Sequence, residues 1–236
     1  VILPVEWAGE FAAFCERNPR PCPLLEVTDP GSFVPVRLAP EADLRTDLPR
    51  YRIWQQGRVV EQPSDILRWW QDDFVAFLIG CSFTFDGALL RAGLPVRHIQ
   101  QGVNVPMYRT SLECVPAGPF AGSLVVSMRP LPQEDVPTVV DLTARFGHFH
   151  GAPVHSGTPA EIGIRDLSRP DFGDPVTIRE GEVPVFWACG VTPQVALMSA
   201  QLPLAITHAP GHMFVTDLTD EDVLVRRPDM EVPEIR

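Results

Sequence analysis

Part of this chain occurs twice, and that repeat constrains the fold more than any other feature. Residues Cys81–Val96 read CSFTFDGALLRAGLPV, and Cys189–Leu204 read CGVTPQVALMSAQLPL. At a fixed offset of 108, with no gap, seven of the sixteen positions are identical. Ordinary residue usage gives about one. An apolar run precedes each copy, Phe74–Ile79 and Val183–Ala188. Each copy therefore reads as buried strand, cysteine-bearing turn, short helix and second strand. Such units predict an α/β fold: a pseudo-symmetric sandwich with a largely parallel sheet covered by helices. Two equivalent thiols at strand ends point to a site between the halves.

The segment between the copies has a different texture. Strand candidates at 122–128, 162–164 and 176–178 alternate with Gly and Pro turns around a helix candidate at 135–145. This predicts a smaller α+β two-layer domain inserted at 112–182. Residues 1–111 and 183–236 then form the sandwich domain that carries both cysteine repeats. Upstream, residues 6–17 read as an amphipathic helix and 51–60 as a hairpin around Gln55-Gln56-Gly57. A helix is expected from Ser64-Asp65 to about Asp72, and a strand near Val96–Ile99. The chain opens inside an apparent strand, VILPV, so a preceding segment is expected.

A formal charge of −11 with no basic stripe argues against nucleic-acid binding. No apolar stretch approaches the ~20 residues of a membrane-spanning helix. All basic residues other than histidine are arginine, which excludes Schiff-base chemistry on a lysine of this chain. Five widely spaced cysteines without a CxxC fit a reduced, cytoplasmic protein. No dinucleotide fingerprint, P-loop or GxSxG motif occurs, so neither a cofactor nor a serine nucleophile is expected. Homo-oligomerisation is compatible with the composition.

Thr192-Pro193 reads as a helix start, and Thr84 takes the same place in the first copy. A helix N-terminus beside each cysteine is expected to lower the thiol pKa and to offer N–H groups to a carboxylate. The backbone after the thiols, at Ser82 and Gly190, belongs to that expectation. Packing alone is the competing reading, since buried cysteine is a common core residue. Further candidates follow each repeat. Arg97, Asn104, Tyr108 and Arg109 lie in RHIQQGVNVPMYRTS, and His208 and His212 in THAPGH. Arginine suits bidentate carboxylate recognition, with a structural ion pair as its alternative. The histidines are candidates for acid–base work; no metal-ligand spacing is complete, and no metal is expected.

The strings GCSFT and ACGVT resemble the cofactor-independent aspartate/glutamate racemases, although Thr here stands three residues after Cys. Longer strings are more specific: CPLLEVTDPG, ADLRTDLPRYR, FLIGCSFTF, RHIQQGVNVPMYRT, VVSMRP, HGAPVH, EVPVFWACGVTPQ and ITHAPGHMFVTD. On these the chain resembles the D-glutamate cyclase family, also described as hydro-lyases, over essentially its whole length. The resemblance implies an acidic amino acid as substrate: D-glutamate closed to 5-oxo-D-proline with loss of water. That reaction needs a base and an acid: Cys81 and Cys189 are one candidate pair, and alternatively His208 or His212 is the base while the N–H groups after the cysteines bind the carboxylates. A two-cysteine racemase and a non-catalytic binding protein are the alternatives.

Overall fold

The computed structural model describes residues 1–218; the end of the expected sandwich domain, 219–236, lies outside them. Ten strands and five α-helices are described: β1 (Ile2–Pro4), α1 (Val5–Arg17), β2 (Leu24–Val27), β3 (Tyr51–Gln55), β4 (Arg58–Glu61), β5 (Phe74–Ile79), α2 (Phe83–Arg91), α3 (Arg97–Gln101), β6 (Met107–Glu113), β7 (Ser123–Pro132), α4 (Val136–Ala144), β8 (His155–Ser156), β9 (Glu182–Ala188), α5 (Thr192–Ala200) and β10 (Ala205–His208). They form a six-stranded sheet, β2-β5-β1-β10-β3-β4, and a four-stranded sheet, β6-β7-β9-β8.

The mixed α/β class holds, but the largely parallel sheet does not: every pairing between these strands is antiparallel. The reason lies in where each repeat sends the chain. β5 belongs to the six-stranded sheet, and after α2 and α3 the next strand, β6, belongs to the four-stranded one. β9 belongs to the four-stranded sheet, and α5 leads back to β10 in the six-stranded one. Each repeat is a crossover between sheets, in opposite directions, so neither creates a parallel neighbour.

The apolar run of β5 is buried on both faces, which explains its lack of alternation. Val75 and Phe77 pack with Leu3, Trp54 and the α1 residues Phe11 and Phe14. Phe74, Ala76 and Leu78 face the other way, into a core shared with Phe85 and Leu89 of α2 and with Leu131, Val185 and Trp187 of the second sheet. That shared core locks the sheets together.

Local departures have local causes. Residues 97–101 are helical rather than extended, closed by Gly102 in the left-handed conformation at φ 65°. The segment after Ser64 makes only a short 3-10 turn, Leu67–Trp69. Residues 176–178 form no strand, and Pro159–Ile162 is a 3-10 turn.

Candidate active site

Gly80-Cys81 leaves the end of β5, and Cys189-Gly190 leaves the end of β9. The two crossovers bring these turns together. Both thiols line one cavity of about 150 Å³, with Ser82, Asn104, Gly190 and His208. Its remaining walls are mainly apolar, among them Leu25, Leu44, Tyr51, Leu78, Ile206 and Phe214. The space suits a small ligand; an apolar cavity of this size takes a ring of about six heavy atoms. Polar side chains beyond the two cysteine turns line it as well: Asn104, Thr207, His208 and Thr216.

Both helices begin earlier than expected, α2 by two residues at Phe83 and α5 by one at Thr192, with Ser82 and Val191 as flanking residues. Backbone N–H groups of Phe83 and Ser82 point at the Cys81 thiol, and that of Val191 at Cys189. They favour the thiolate, as the helix-terminus argument expects, yet burial prevails. Desolvation pushes Cys81 up to about 11 and Cys189 up to about 12, so both rest as thiols. Burial likewise pushes the His208 imidazole down to about 3, leaving it neutral.

Other candidate residues stand elsewhere. Arg97 is buried in an ion pair with Glu182. The Tyr108 hydroxyl donates to the Leu167 carbonyl at 2.7 Å. Arg109 contacts the Met198 sulfur at 2.8 Å. Thr84 donates its backbone N–H to the Cys81 carbonyl at 3.2 Å. The Thr192 hydroxyl accepts from the Val125 N–H at 3.0 Å and donates to the Cys189 carbonyl at 2.8 Å, which ties α5 to β7. His212 lies outside the cavity, in a neighbouring cleft with Asp86, His98 and Asn104. Among the described residues, no group of three or more His, Cys, Asp or Glu could hold a metal ion.

Beneath the thiols lies a polar cluster that sequence reasoning missed. The Arg129 guanidinium, from β7, donates to both Asp86 oxygens at 2.6 and 2.9 Å. It also donates to Ser127 Oγ at 3.1 Å and reaches Ser82 Oγ, on the cavity wall, at 3.4 Å. His98 Nε2 lies 3.4 Å from the second Asp86 oxygen. Asp86, Arg129, Ser82, Ser127 and His98 are all buried. Burial disfavours the Asp86 carboxylate, but Arg129 and His98 outweigh it and hold the carboxyl below its ordinary range. The available signals are slight: Asp86 is the one charged group inside the first helix turns of the repeat, and Arg129 is the one charged residue of β7. In the sequence, His150 is one of three histidines in HFHGAPVH, for which backbone hydrogen bonding, metal binding and substrate orientation or acid–base work all stay open. It is buried, its ring stands about 3.8 Å from where a Gly190 side chain would begin, and its Nδ1 is 2.7 Å from the Arg20 carbonyl.

Comparison with known proteins places these features in a family. The D-glutamate cyclase family profile matches residues 75–217, a span that contains both thiols, Asp86, Arg129 and His208. A protein of Rubrobacter xylanophilus named "Putative hydro-lyase" is 63% identical over 222 residues, covering 94% of this chain and 86% of its own. Relatives carrying the same description in Geobacillus kaustophilus and Bacillus subtilis are 59% and 56% identical, covering 94% and 95% of this chain and 85% and 88% of their own. A solved structure, a nitrogen repressor-like protein from Methanococcus jannaschii, aligns with a TM-score of 0.42 at 11% identity, over 94% of this chain and 83% of its own. That likeness is too weak to bear on the site.

Proposed function

The chain belongs to the D-glutamate cyclase family, and on that premise we propose that it is a hydro-lyase that closes D-glutamate to 5-oxo-D-proline with loss of water. The observation that carries this reading is the cavity itself: both cysteine turns and His208 line one small, mainly apolar chamber. Glutamate enters with two carboxylates and an ammonium. Ring closure consumes one carboxylate and the ammonium, leaving a single anion. A mainly apolar chamber suits the product side of that change and favours charge loss on the way to it. The α-carboxylate would rest on the N–H groups at the starts of α2 and α5.

The protons balance within the substrate. Ring closure takes two protons from the ammonium and places both on the departing oxygen, so the enzyme's groups end as they began. The titratable groups that line the cavity serve as carriers. Cys81 and Cys189 rest protonated and can give a proton to the oxygen; the neutral His208 ring in the same cavity can take one from the amine. The five free cysteines are consistent with a reducing compartment, and we place the reaction in the cytoplasm. No described helix is long and apolar enough to cross a membrane.

The test is an NMR time course with D-glutamate in D2O, beside L-glutamate, using the native protein, Cys81→Ser and Cys189→Ser. 5-Oxoproline formed from the D isomer and lost in either variant supports the reading. Two thiols facing one cavity also suit a two-cysteine racemase. Deuterium entering Cα without ring closure would establish that chemistry instead, and unchanged spectra would remove glutamate as the substrate.

A further inference from the structure

Two clefts adjoin the thiol cavity, and the loop that follows β10 walls both in part. The first, of about 520 Å³, lies beside α2 and α3 and shares Phe83, Asn104 and Gly211 with the cavity. The second, of about 340 Å³, shares Met213 and Phe214 with it. Either could lead to the thiols, but their walls differ in charge. Glu41, Asp47 and Asp217 line the second cleft, with no basic side chain among its described walls. The first is lined by the His98 and His212 rings and by Asn104. Its one carboxylate, Asp86, is already held by Arg129 at 2.6 and 2.9 Å.

The inner ends of the clefts are also built differently. At the second, Phe214 packs against the core shared by the sheets. Asp217 donates its N–H to the carbonyl of Leu38, a cavity-wall residue, at 3.0 Å and fastens that side of the loop. At the first, the partition is Asn104 against Gly211. A side chain on Gly211, whose φ is 81°, would start 2.5 Å from Asn104 Nδ2, so the amide lies directly on the glycine. The Asn104 backbone is anchored to Asp174, donating to its carboxylate at 2.9 Å and accepting from its N–H at 3.3 Å. The Asn104 side-chain amide has no hydrogen-bond partner among the described residues.

From these differences we propose that the cleft beside α2 and α3 is the entrance to the thiol cavity for an anionic substrate, with the Asn104 amide at its threshold donating to the incoming carboxylate. A cleft with low-dielectric walls focuses the field of the charges that line it, so three carboxylates turn an anion away from the second cleft. At the first, neither the imidazoles nor the amide is negative, and the amide supplies N–H donors. The threshold also opens at small cost. Only the backbone of Asn104 is fixed, so its side chain can move between staggered rotamers without disturbing the fold. The second cleft would open only by drawing Phe214 out of its apolar contacts. That the anion is glutamate rests on the cyclase reading; the route does not.

The experiment alkylates the substrate-free protein with iodoacetamide, which is neutral, or iodoacetate, an anion, and follows Cys81 and Cys189 separately by mass spectrometry. Ile99 and Leu90 are exposed on the walls of the first cleft, and Val215 on the wall of the second. Tryptophan at such exposed positions should leave the fold intact. Ile99→Trp and Leu90→Trp should each slow alkylation of both thiols several-fold, and Val215→Trp should not. The reverse pattern, or no slowing by any of the three, overturns the proposal. His212→Glu tests the charge. It should lower the iodoacetate-to-iodoacetamide rate ratio about threefold at low salt, the worth of a unit charge about 6 Å away in water. The ratio cancels any change in thiolate fraction. A ratio that does not move overturns the entrance for anions. Asn104→Ala should speed both reagents, and an unchanged rate overturns the threshold. Cleft-dependent alkylation in a protein that does not turn over glutamate would uphold the route and remove the cyclase reading. Turnover of glutamate beside unslowed alkylation in Ile99→Trp and Leu90→Trp would do the opposite.

Discussion

A methyl group placed on Gly190 would lie 3.4 Å from the Gly80 carbonyl oxygen, so the two cysteine turns rest against each other. Their glycines tolerate change unequally. A side chain on Gly80 would start 2.4 Å from the backbone oxygen of His148, and backbone cannot swing aside. Gly80→Ala should cost about 1–3 kcal/mol by overpacking, a fall in Tm of several degrees. Gly190→Ala meets only ordinary contacts and should melt within about 2 °C of the native protein. Thermal unfolding of the two variants side by side checks this; equal losses would contradict the turn geometry.

Alkaline stability follows from the buried thiols. Cys81 and Cys189 titrate at about 11 and about 12 in the fold, above the ordinary 9.0, because burial penalises the thiolate. A group whose folded pKa is raised contributes fully below its unfolded pKa. That contribution declines as pH climbs from 9 towards the folded value. Between pH 8 and 10.5, Cys189 alone should account for about 2 kcal/mol of lost stability. Tyr51, raised by burial to about 12, acts with the same sign. Urea unfolding at the two pH values should show a smaller loss in Cys189→Ala than in the native protein.

Much of this architecture is legible in the sequence, and what is not has a common cause. The aligned copies locate both cysteines and, through them, the cavity. Helix α1, the β3–β4 hairpin and α4 follow from local periodicity and turn residues, which need no tertiary information. The partner sheet of each strand is a long-range choice, so a strand–helix–strand pattern reads as parallel when it crosses between sheets. Arg97 and Arg109 stand out by sequence proximity to the repeat, yet both are engaged away from the cavity. Arg129 lies 43 residues from its partner Asp86. Without the fold, nothing distinguishes it from any other strand arginine. The sequence points to the wrong direction for the thiol pKa because a helix terminus is visible in it and the depth of burial is not.

His150 should carry a share of the acid-side loss, beside His208, whose imidazole burial pushes lower still. Burial pushes its imidazole down to about 4 from 6.5, and its ring is closed off beneath the cysteine turns. A depressed pKa means that the neutral ring is the folded form. The stability is whole above pH 6.5 and is lost as pH falls towards 4, by about 3 kcal/mol for this residue. His150→Asn is the suitable variant, because asparagine tolerates the backbone φ of 78° and can donate to the Arg20 carbonyl. Denaturation at pH 7 and 4.5 should show a shallower acid loss in this variant than in the native chain. An identical slope would assign the acid limb to other groups, such as His208 or Asp86.

Thr192 offers the last test, because its hydroxyl joins the second cysteine turn to the neighbouring strand β7. It accepts from the buried Val125 N–H and donates to the carbonyl of Cys189. Thr192→Val keeps the shape and deletes both bonds, leaving the Val125 N–H without this partner. The cost should be about 1–3 kcal/mol, the penalty of an unsatisfied buried donor. Thr192→Ser keeps the hydroxyl and should stay within about 1 kcal/mol. The same contrast separates stability from catalysis. If the hydroxyl fixes the Cys189 turn, Thr192→Val should lower kcat more than it raises KM even at temperatures where it is fully folded, and serine should restore kcat. A folded valine variant with native kcat would confine Thr192 to a structural role and leave the placement of Cys189 to the turn backbone and its hydrogen bond from the Cys189 N–H to the Val125 carbonyl.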